Sequence, residues 1–523
     1  MAKFIDKTTY LAYLECAKNT WLKFHKHDEL RDFFEASESN KSYACQAIAV
    51  EQEARKLFPG GVLIEAADKN AATLLTQQHI ELKTQTLFRS TFIHNAFLIV
   101  VDLLVYDDQT GCWNLYEISS KSGLDEKKKK RPREQIVNGL TFQAIILKKL
   151  GIELGEIGII YLNKDYVSDD VIDIEQLFNT ISVTLDVGTQ ENIVRQQIFE
   201  ISERFLNDGD PGLACKCIYK GRSKHCPTFA CSHSYVPAYS VHDLASIGVS
   251  KKKLAALVDE GIFKINEIPD NVCLTTKQKN QMNVYRQQKP LIDYEGIKKE
   301  LATLKYPLYF LDYETYAPAI PMFKGFRPHL PVTFQLSLHV LHSPESEPVH
   351  CDYLHEFDSD PSLVIIQKLQ ESIGLSGSII VWYKSFESGR HNELAERHAL
   401  HQDFLKGLNN RVYDLMEIFS KQLYVHPNFN GSTSIKKVLP VLVPELNYKD
   451  LKIQEGATAS QKWFDMVYGG LTIEEKQKIA QDLKQYCKLD TYAMYAIWRH
   501  LINKCADSSF AAHEACSESM LIK

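Results

Sequence analysis

At 523 residues the chain is too long for one ordinary core, and about two to four domains are expected. A hydrophobic fraction of 45% and an aromatic fraction of 11% exclude a disordered chain, and no apolar run reaches the roughly 20 residues of a membrane span. The formal net charge of −6 excludes a blanket attraction to nucleic acid, so any such site must be a local basic patch.

The N-terminus, MAKFIDKTTYLAYLECAKNT, predicts the start of an amphipathic helix. It lacks the apolar middle and cleavage site of a signal peptide, which predicts a soluble, cytoplasmic chain with no membrane partner. Helices are predicted over TTYLAYLECAKNTWLKFH and ACQAIAVEQEARKLF, the second stopped by PGG. The strand-like runs AFLIVVDLLVYD and WNLYEISSK flank the Gly-containing turn DQTGC, a hairpin signal. Next comes a basic run, KKKKRPR at 127–133, which fits a solvated loop as readily as a phosphate-tracking patch. A helix over REQIVNGLTFQAIILKKLG and a strand over EIGIIYLN complete a small mixed sheet with flanking helices. From about Ser232 to Pro307, short helical periods break at IG and EGI. This segment resembles a helix-hairpin-helix, and a plain helical linker fits it equally well. From Tyr309 onward, the strands PLYFLDYET, VTFQLSLHVL and SIIVWY alternate with the helices LVIIQKLQESIG and ELAERHALH, which predicts a second α/β domain.

Within FLDYETYAPAIP, residues 310–321, Asp312 and Glu314 fall two apart and so share one face of a strand. Two carboxylates that close repel unless a cation sits between them. Further acids follow: Glu387 just beyond an apolar strand in IIVWYKSFESG, and Asp414 at the head of a helical segment in RVYDLMEIF. Tyr486 and Asp490, four apart in DLKQYCKLDTYAMYAIW, lie on one face of a helix. Oxygen-rich sites of this kind suit Mg²⁺ or Mn²⁺. A lone Asp-x-Glu is common on surfaces, whereas three ordered groups hung on apolar elements point to a metal site.

In order, DYE, SFE and YCKLD resemble the three exonuclease motifs of the RNase H-like DnaQ superfamily, in the version with Tyr four residues before the last Asp. The resemblance implies an RNase H-like domain in which Asp312, Glu314, Glu387 and Asp490 hold two Mg²⁺ or Mn²⁺ ions and Tyr486 orients the attacking water. It also implies 3′–5′ exonuclease polarity. The second motif more usually ends in Asp, so Asp414 is a candidate to share or take the role of Glu387. GSTSIKKVLPVLVPELNY resembles an uncharacterised bacterial family that pairs this domain with an N-terminal RecB-like nuclease domain. Gly431, Ser432 and Lys436 in it fit either a substrate loop or a packing loop.

VVDLLVYDDQTGCWNLYEISSK resembles the PD-(D/E)XK nuclease core of RecB and CRISPR-associated exonucleases, and IIYLNKDYV and ARKLFPGG extend the match to the fused family. Asp102 and Glu117 match the two metal-binding acids, and Gln143 matches the helix glutamine that follows. Where the family has Glu-x-Lys, this chain has Glu117, Ile118 and Ser119. Lys121 substitutes only if the strand end bends or its side chain reaches back, so the first site is expected to be weak or inactive. The cysteines in CKCIYKGRSKHCPTFACSH, with Cys16, resemble the iron–sulfur branch of these nucleases. That branch uses one Cys from the first helix and three from the domain's end, a plan that Cys16, Cys217, Cys226 and Cys231 fit, with Cys215 the alternate for Cys217. Four thiolates hold a [4Fe–4S] cluster. Zn²⁺ in a Cys₄ site, or a Cys₃His site using His225 or His233, competes with it, and free cytosolic thiols are the plain alternative.

The expectation is therefore an α/β chain with a PD-(D/E)XK nuclease-like domain at 1–231, a helical linker at 232–307, an RNase H-like domain at 308–505 and a tail at 506–523. Its expected partner is nucleic acid, single-stranded or at 3′ ends, with DNA ahead of RNA. The competing class is a non-catalytic, nucleic-acid-binding or partner-recruiting scaffold with a structural metal cluster. The C-terminal acids favour the enzyme; the missing lysine favours the scaffold in the N-terminal domain.

Overall fold

The computed structural model describes residues 3–34, 38–125, 130–206 and 212–520. It is an α/β protein with two compact units. Unit 1 comprises Met1–Ile218, Lys224–Ser234 and Pro318–Leu330; unit 2 comprises Tyr219–Ser223, Tyr235–Ala317 and Pro331–Lys523. Among the described residues no helix is long and apolar enough to cross a membrane.

Unit 1 is built on a six-stranded sheet of β1 (Val62–Leu63), β2 (Thr86–His94), β3 (Phe97–Asp107), β4 (Cys112–Ser122), β5 (Leu154–Leu162) and β6 (Phe178–Ser182), in that spatial order. The β3–β4 hairpin forms where the sequence predicts it. Its turn is closed by Asp107, whose carboxylate accepts from Gln109 N and Thr110 Oγ1, and by Gly111 at φ +70°. The Lys130–Lys149 helix buries Leu140, Phe142, Ile145 and Ile146 in the main core, where Phe142 stacks on Tyr10 at 4.8 Å. Residues 127–129 of the basic run lie outside the described residues, and Lys130–Arg133 form the first turn of that helix. The single helix expected over the first cysteine is two. Cys16, with φ −160° and ψ 99°, is an extended break between Lys7–Glu15 and Ala17–His25.

The strands of unit 2 are β7 (Leu291–Ile292), β8 (Leu308–Tyr316), β9 (Val332–Leu341), β10 (Val349–Leu354), β11 (Ser378–Val381), β12 (Val412–Asp414) and β13 (Tyr424–Val425). The main sheet runs β10-β9-β8-β11-β12, with β8 antiparallel to β9 and parallel to β11. From Tyr235 the segment predicted as a linker belongs to this unit, and β7 pairs with β13. The alternation of β8 sets up the site. Tyr309, Leu311 and Tyr313 enter one core face, while Phe310 packs against Tyr495 and Trp498 of the long Ile473–Met520 helix. Asp312 and Glu314 share the face of Phe310, so they look towards that helix. Three side chains of β9 tether it: Gln335 Nε2 donates to Leu483 O (3.1 Å), while Ser337 Oγ and His339 Nδ1 meet Thr491 Oγ1 at 2.9 and 2.8 Å.

Candidate metal centres

The first centre lies at the end of β8, where a register irregularity against β9 falls between Glu314 and Thr315. One atom each of Asp312, Glu314 and Cys487 lies within 4.8 Å of the others, and the Cys487 thiol donates to Asp312 Oδ2 at 3.4 Å. From the long helix, Asp490 accepts from Tyr448 Oη on Oδ1 (2.5 Å), and its charge acts on Asp312 and Glu314. Tyr486 bonds Lys436 Nζ at 3.2 Å, and that ammonium also donates to Gln454 O (2.6 Å) while lying over the Tyr448 and Tyr486 rings. Glu387, in the first turn of the Lys384–Arg397 helix, is 1% exposed, and its Oε2 has no partner. A buried carboxylate oxygen without a donor is costly unless a cation completes it. Together with the oxygen chemistry of the set, this fits a hard divalent ion.

Asp414 is held by backbone donors, and its charge also acts on Glu387. It ends β12 rather than heading a helix, and its two oxygens accept from Tyr383 N (3.0 Å), Lys384 N (2.9 Å) and Met416 N (3.1 Å). A carboxylate bonded to the N–H groups that begin the Lys384–Arg397 helix caps it and so positions Glu387. Tyr313 lies on the opposite strand face from Asp312 and Glu314, with its Oη 2.9 Å from His391 Nε2 and the Glu387 charge acting on it. Cys487 was legible in principle, since it lies three residues before Asp490 on the same helix face. Tyr448 carries no spacing signal.

The acids hold their protons tightly. Burial, then the Asp312 charge, pushes Glu387 up from its ordinary 4.5 to about 9, and burial pushes Asp490 up to about 6. Burial, then the Asp490 charge, raises Asp312, and burial with the Asp312 and Asp490 charges raises Glu314, while Lys436 pulls both down. An acid whose folded pKa is raised stabilises the fold below its unfolded pKa and loses that contribution as pH rises through the folded value. Without divalent ions, unit 2 should therefore melt at progressively lower temperature from about pH 4.5 to about pH 9, the window set by Glu387. Mn²⁺, which binds the ionised form, should raise the melting temperature more near pH 9 than near pH 6. A melting temperature indifferent to both pH and Mn²⁺ would contradict this picture.

The second centre is a thiol cluster in unit 1. Sulfur atoms of Cys16, Cys215, Cys217 and Cys226 lie within 4.8 Å of one another, with Cys215 3.7 Å from Cys16 and 3.6 Å from Cys226. This corrects the expected set: Cys215 and Cys217 are both members, and Cys231 is not. Cys217 is buried in the Lys216–Tyr219 turn and Cys215 just before it, whereas Cys231 sits exposed on the one-turn Phe229–Ser232 helix. His233 Nε2 is engaged with Cys215 O at 2.9 Å, and the His225 ring stacks on Phe229. The Cys16 thiol drives Cys215 and Cys217 towards thiolate, Cys217 to about 6. Four convergent thiols of this kind can bind a metal.

The Asp102–Glu117 pair is the third group. One step along from the Leu103–Tyr116 pair, the two acids face each other across the β3–β4 ladder, and Ile118 N donates to Asp102 Oδ2 at 3.0 Å. Burial, then the Glu117 charge, pushes Asp102 up to about 7. Lys7 Nζ meets both Glu117 oxygens, at 2.8 and 2.6 Å, a contact the sequence gives no means of foreseeing. β4 does slip register between Ser119 and Ser122, and the Glu117 charge acts on the Lys121 ammonium, although the residue is exposed and makes no hydrogen bond to Glu117 among those seen; its backbone N–H donates to Ser119 Oγ. Gln143 is buried and donates to Val100 O at 2.9 Å.

The family match falls on part of the carboxylate centre. Residues 309–434 match a domain of unknown function, DUF2779. The DUF2779 stretch carries Asp312, Glu314, Glu387 and Asp414 and ends before Lys436, Tyr448, Tyr486 and Asp490. The chain is 32% identical over 170 residues to the uncharacterized protein UU173 of Ureaplasma parvum, covering 29% of this chain and 24% of that one. It is 27% identical over 214 residues to the uncharacterized protein MG366 of Mycoplasma genitalium, covering 37% and 32% of the two chains. The chain thus spans about a quarter to a third of the length of these curated relatives. No solved structure matches it.

Proposed function

We propose that unit 2 is a metal-dependent 3′–5′ exonuclease acting on single-stranded nucleic acid or 3′ ends, DNA ahead of RNA. The observation that carries the reading is the unpartnered, buried Glu387 Oε2 on an acid that feels the Asp312 charge, with the Asp490 charge acting on Asp312 and Glu314. Asp312, Glu314, Glu387 and Asp490 would hold Mg²⁺ or Mn²⁺, which supply Lewis-acid stabilisation and a more acidic water. The chain's own groups do the rest. Tyr448 fixes the Asp490 carboxylate through its hydroxyl. Burial and the neighbouring acids keep Tyr486 protonated, so its phenol orients a water rather than removing a proton. Lys436 holds that phenol and presents positive charge to an incoming phosphate. Polarity and the preference for DNA rest on the resemblance of DYE, SFE and YCKLD to DnaQ-type motifs.

In unit 1, Cys16, Cys215, Cys217 and Cys226 would hold a [4Fe–4S] cluster or Zn²⁺, tying the first helices to the domain's end. The acids of this RecB-like unit contribute little hydrolysis, and its role is to bind nucleic acid or a partner. The test is incubation of the protein with 3′-labelled single-stranded DNA and RNA in Mn²⁺, Mg²⁺ or EDTA. Labelled mononucleotide should appear only with divalent ions. Tyr486→Phe should slow release about 10²-fold, the scale of one positioning group, while leaving Mn²⁺ affinity unchanged. Equal release in EDTA would refute the reading.

A further inference from the structure

We propose that Lys7 is the resident cation of the Asp102–Glu117 pair, so that this carboxylate site is closed to divalent ions in the native chain. The lysine is built into place by three separate devices. Ile5 bridges to Phe97, with Ile5 N donating to Ala96 O (2.8 Å) and Leu98 N to Ile5 O (3.2 Å), which pins the chain beside β3. Asp6 caps the following helix by accepting from Thr9 N (2.7 Å), making Lys7 its first residue. Gly139, in the interior of the Lys130–Lys149 helix, leaves the room in which the lysine stem runs. A Cβ at that position would meet Lys7 Cδ at 3.2 Å and Cγ at 3.4 Å. A helix-interior glycine is unfavourable in itself, and here its missing side chain admits the methylenes of Lys7.

The electrostatics follow from that placement. Carboxylates directly opposite across a ladder repel. The ammonium meets both oxygens of Glu117 and its charge also acts on Asp102, reducing two negative charges to one. The nearby Glu51 is itself engaged by Arg55 (2.5 Å) and Arg89 (3.4 Å). A divalent ion entering between Asp102 and Glu117 would have to displace an ammonium whose stem is held in a fitted slot. It would then meet half the negative charge of an open pair. The inference is independent of the exonuclease reading of unit 2.

The test counts bound Mn²⁺ by electron paramagnetic resonance in the full chain carrying Asp312→Asn and Asp490→Asn, which disables the unit 2 acids. With Lys7 present, added Mn²⁺ should stay free; adding Lys7→Met should give one bound ion per chain, lost again with Asp102→Asn. Mn²⁺ bound with Lys7 present and lost on Glu117→Gln would overturn the proposal. So would a folded Lys7→Met chain that binds none. A second measurement does not depend on that variant folding. Without divalent ions, Glu117→Gln in the otherwise native chain should lower the melting temperature by several degrees, because it removes the ion-pair partner of a partly buried ammonium. If the pair were instead an open, self-repelling site, the same substitution would raise it.

Discussion

Asp312→Asn should reduce hydrolysis on the order of 10³-fold, the scale of removing a group that stabilises charge in the transition state. The residue links the acids of the site: β8 presents it within 4.8 Å of Glu314 and Cys487, the Asp490 charge acts on it, and its own charge acts on Glu387. The substitution keeps the shape and removes the charge, so Mn²⁺ affinity should fall with the rate. Stability should move the other way. Burial and the Asp490 charge disfavour the ionised form of Asp312, so the amide should raise the ion-free melting temperature at alkaline pH. Activity falling while stability rises distinguishes a lost metal ligand from a damaged fold. Native activity in this variant would place the chemistry elsewhere.

The second large effect is expected at the thiols. Cys226→Ser should remove the bound metal and lower the melting temperature of unit 1 by roughly 10 °C, because metal binding at four convergent ligands is folding free energy. Cys231→Ser should change neither metal content nor stability, since its thiol is exposed and outside the cluster. Metal analysis and calorimetry on the two variants side by side decide the matter. Equal loss in both would restore Cys231 to the ligand set, and no loss in either would leave the four thiols without a metal.

What could be read from the sequence follows the range of the forces involved. Strand alternation is local, so Asp-Tyr-Glu in β8 declared which residues share a face, and Tyr313 does turn to the other side. Helical spacing is local too, and it placed Tyr486 and Asp490 together. Asp414 was misplaced because its role depends on a tertiary contact: the backbone N–H groups it caps lie about thirty residues earlier in the chain. Among closely spaced cysteines, sequence could not choose Cys215 over Cys231, since the choice is made by which short turn faces inward. Lys7 was invisible for the strongest reason. Its partner Glu117 is 110 residues away, and the glycine that admits its stem lies on a third element.

The central claim is tested most directly on a 5′-labelled single strand with Mn²⁺, comparing a free with a chemically blocked 3′ end in native and Asp312→Asn protein. Native protein should shorten the free strand stepwise into a ladder, leave the blocked strand intact and stop on addition of EDTA; Asp312→Asn should leave both strands intact over the same time. Cleavage of the blocked strand at the native rate, or a ladder that survives EDTA or Asp312→Asn, would contradict a metal-dependent 3′–5′ exonuclease at this site.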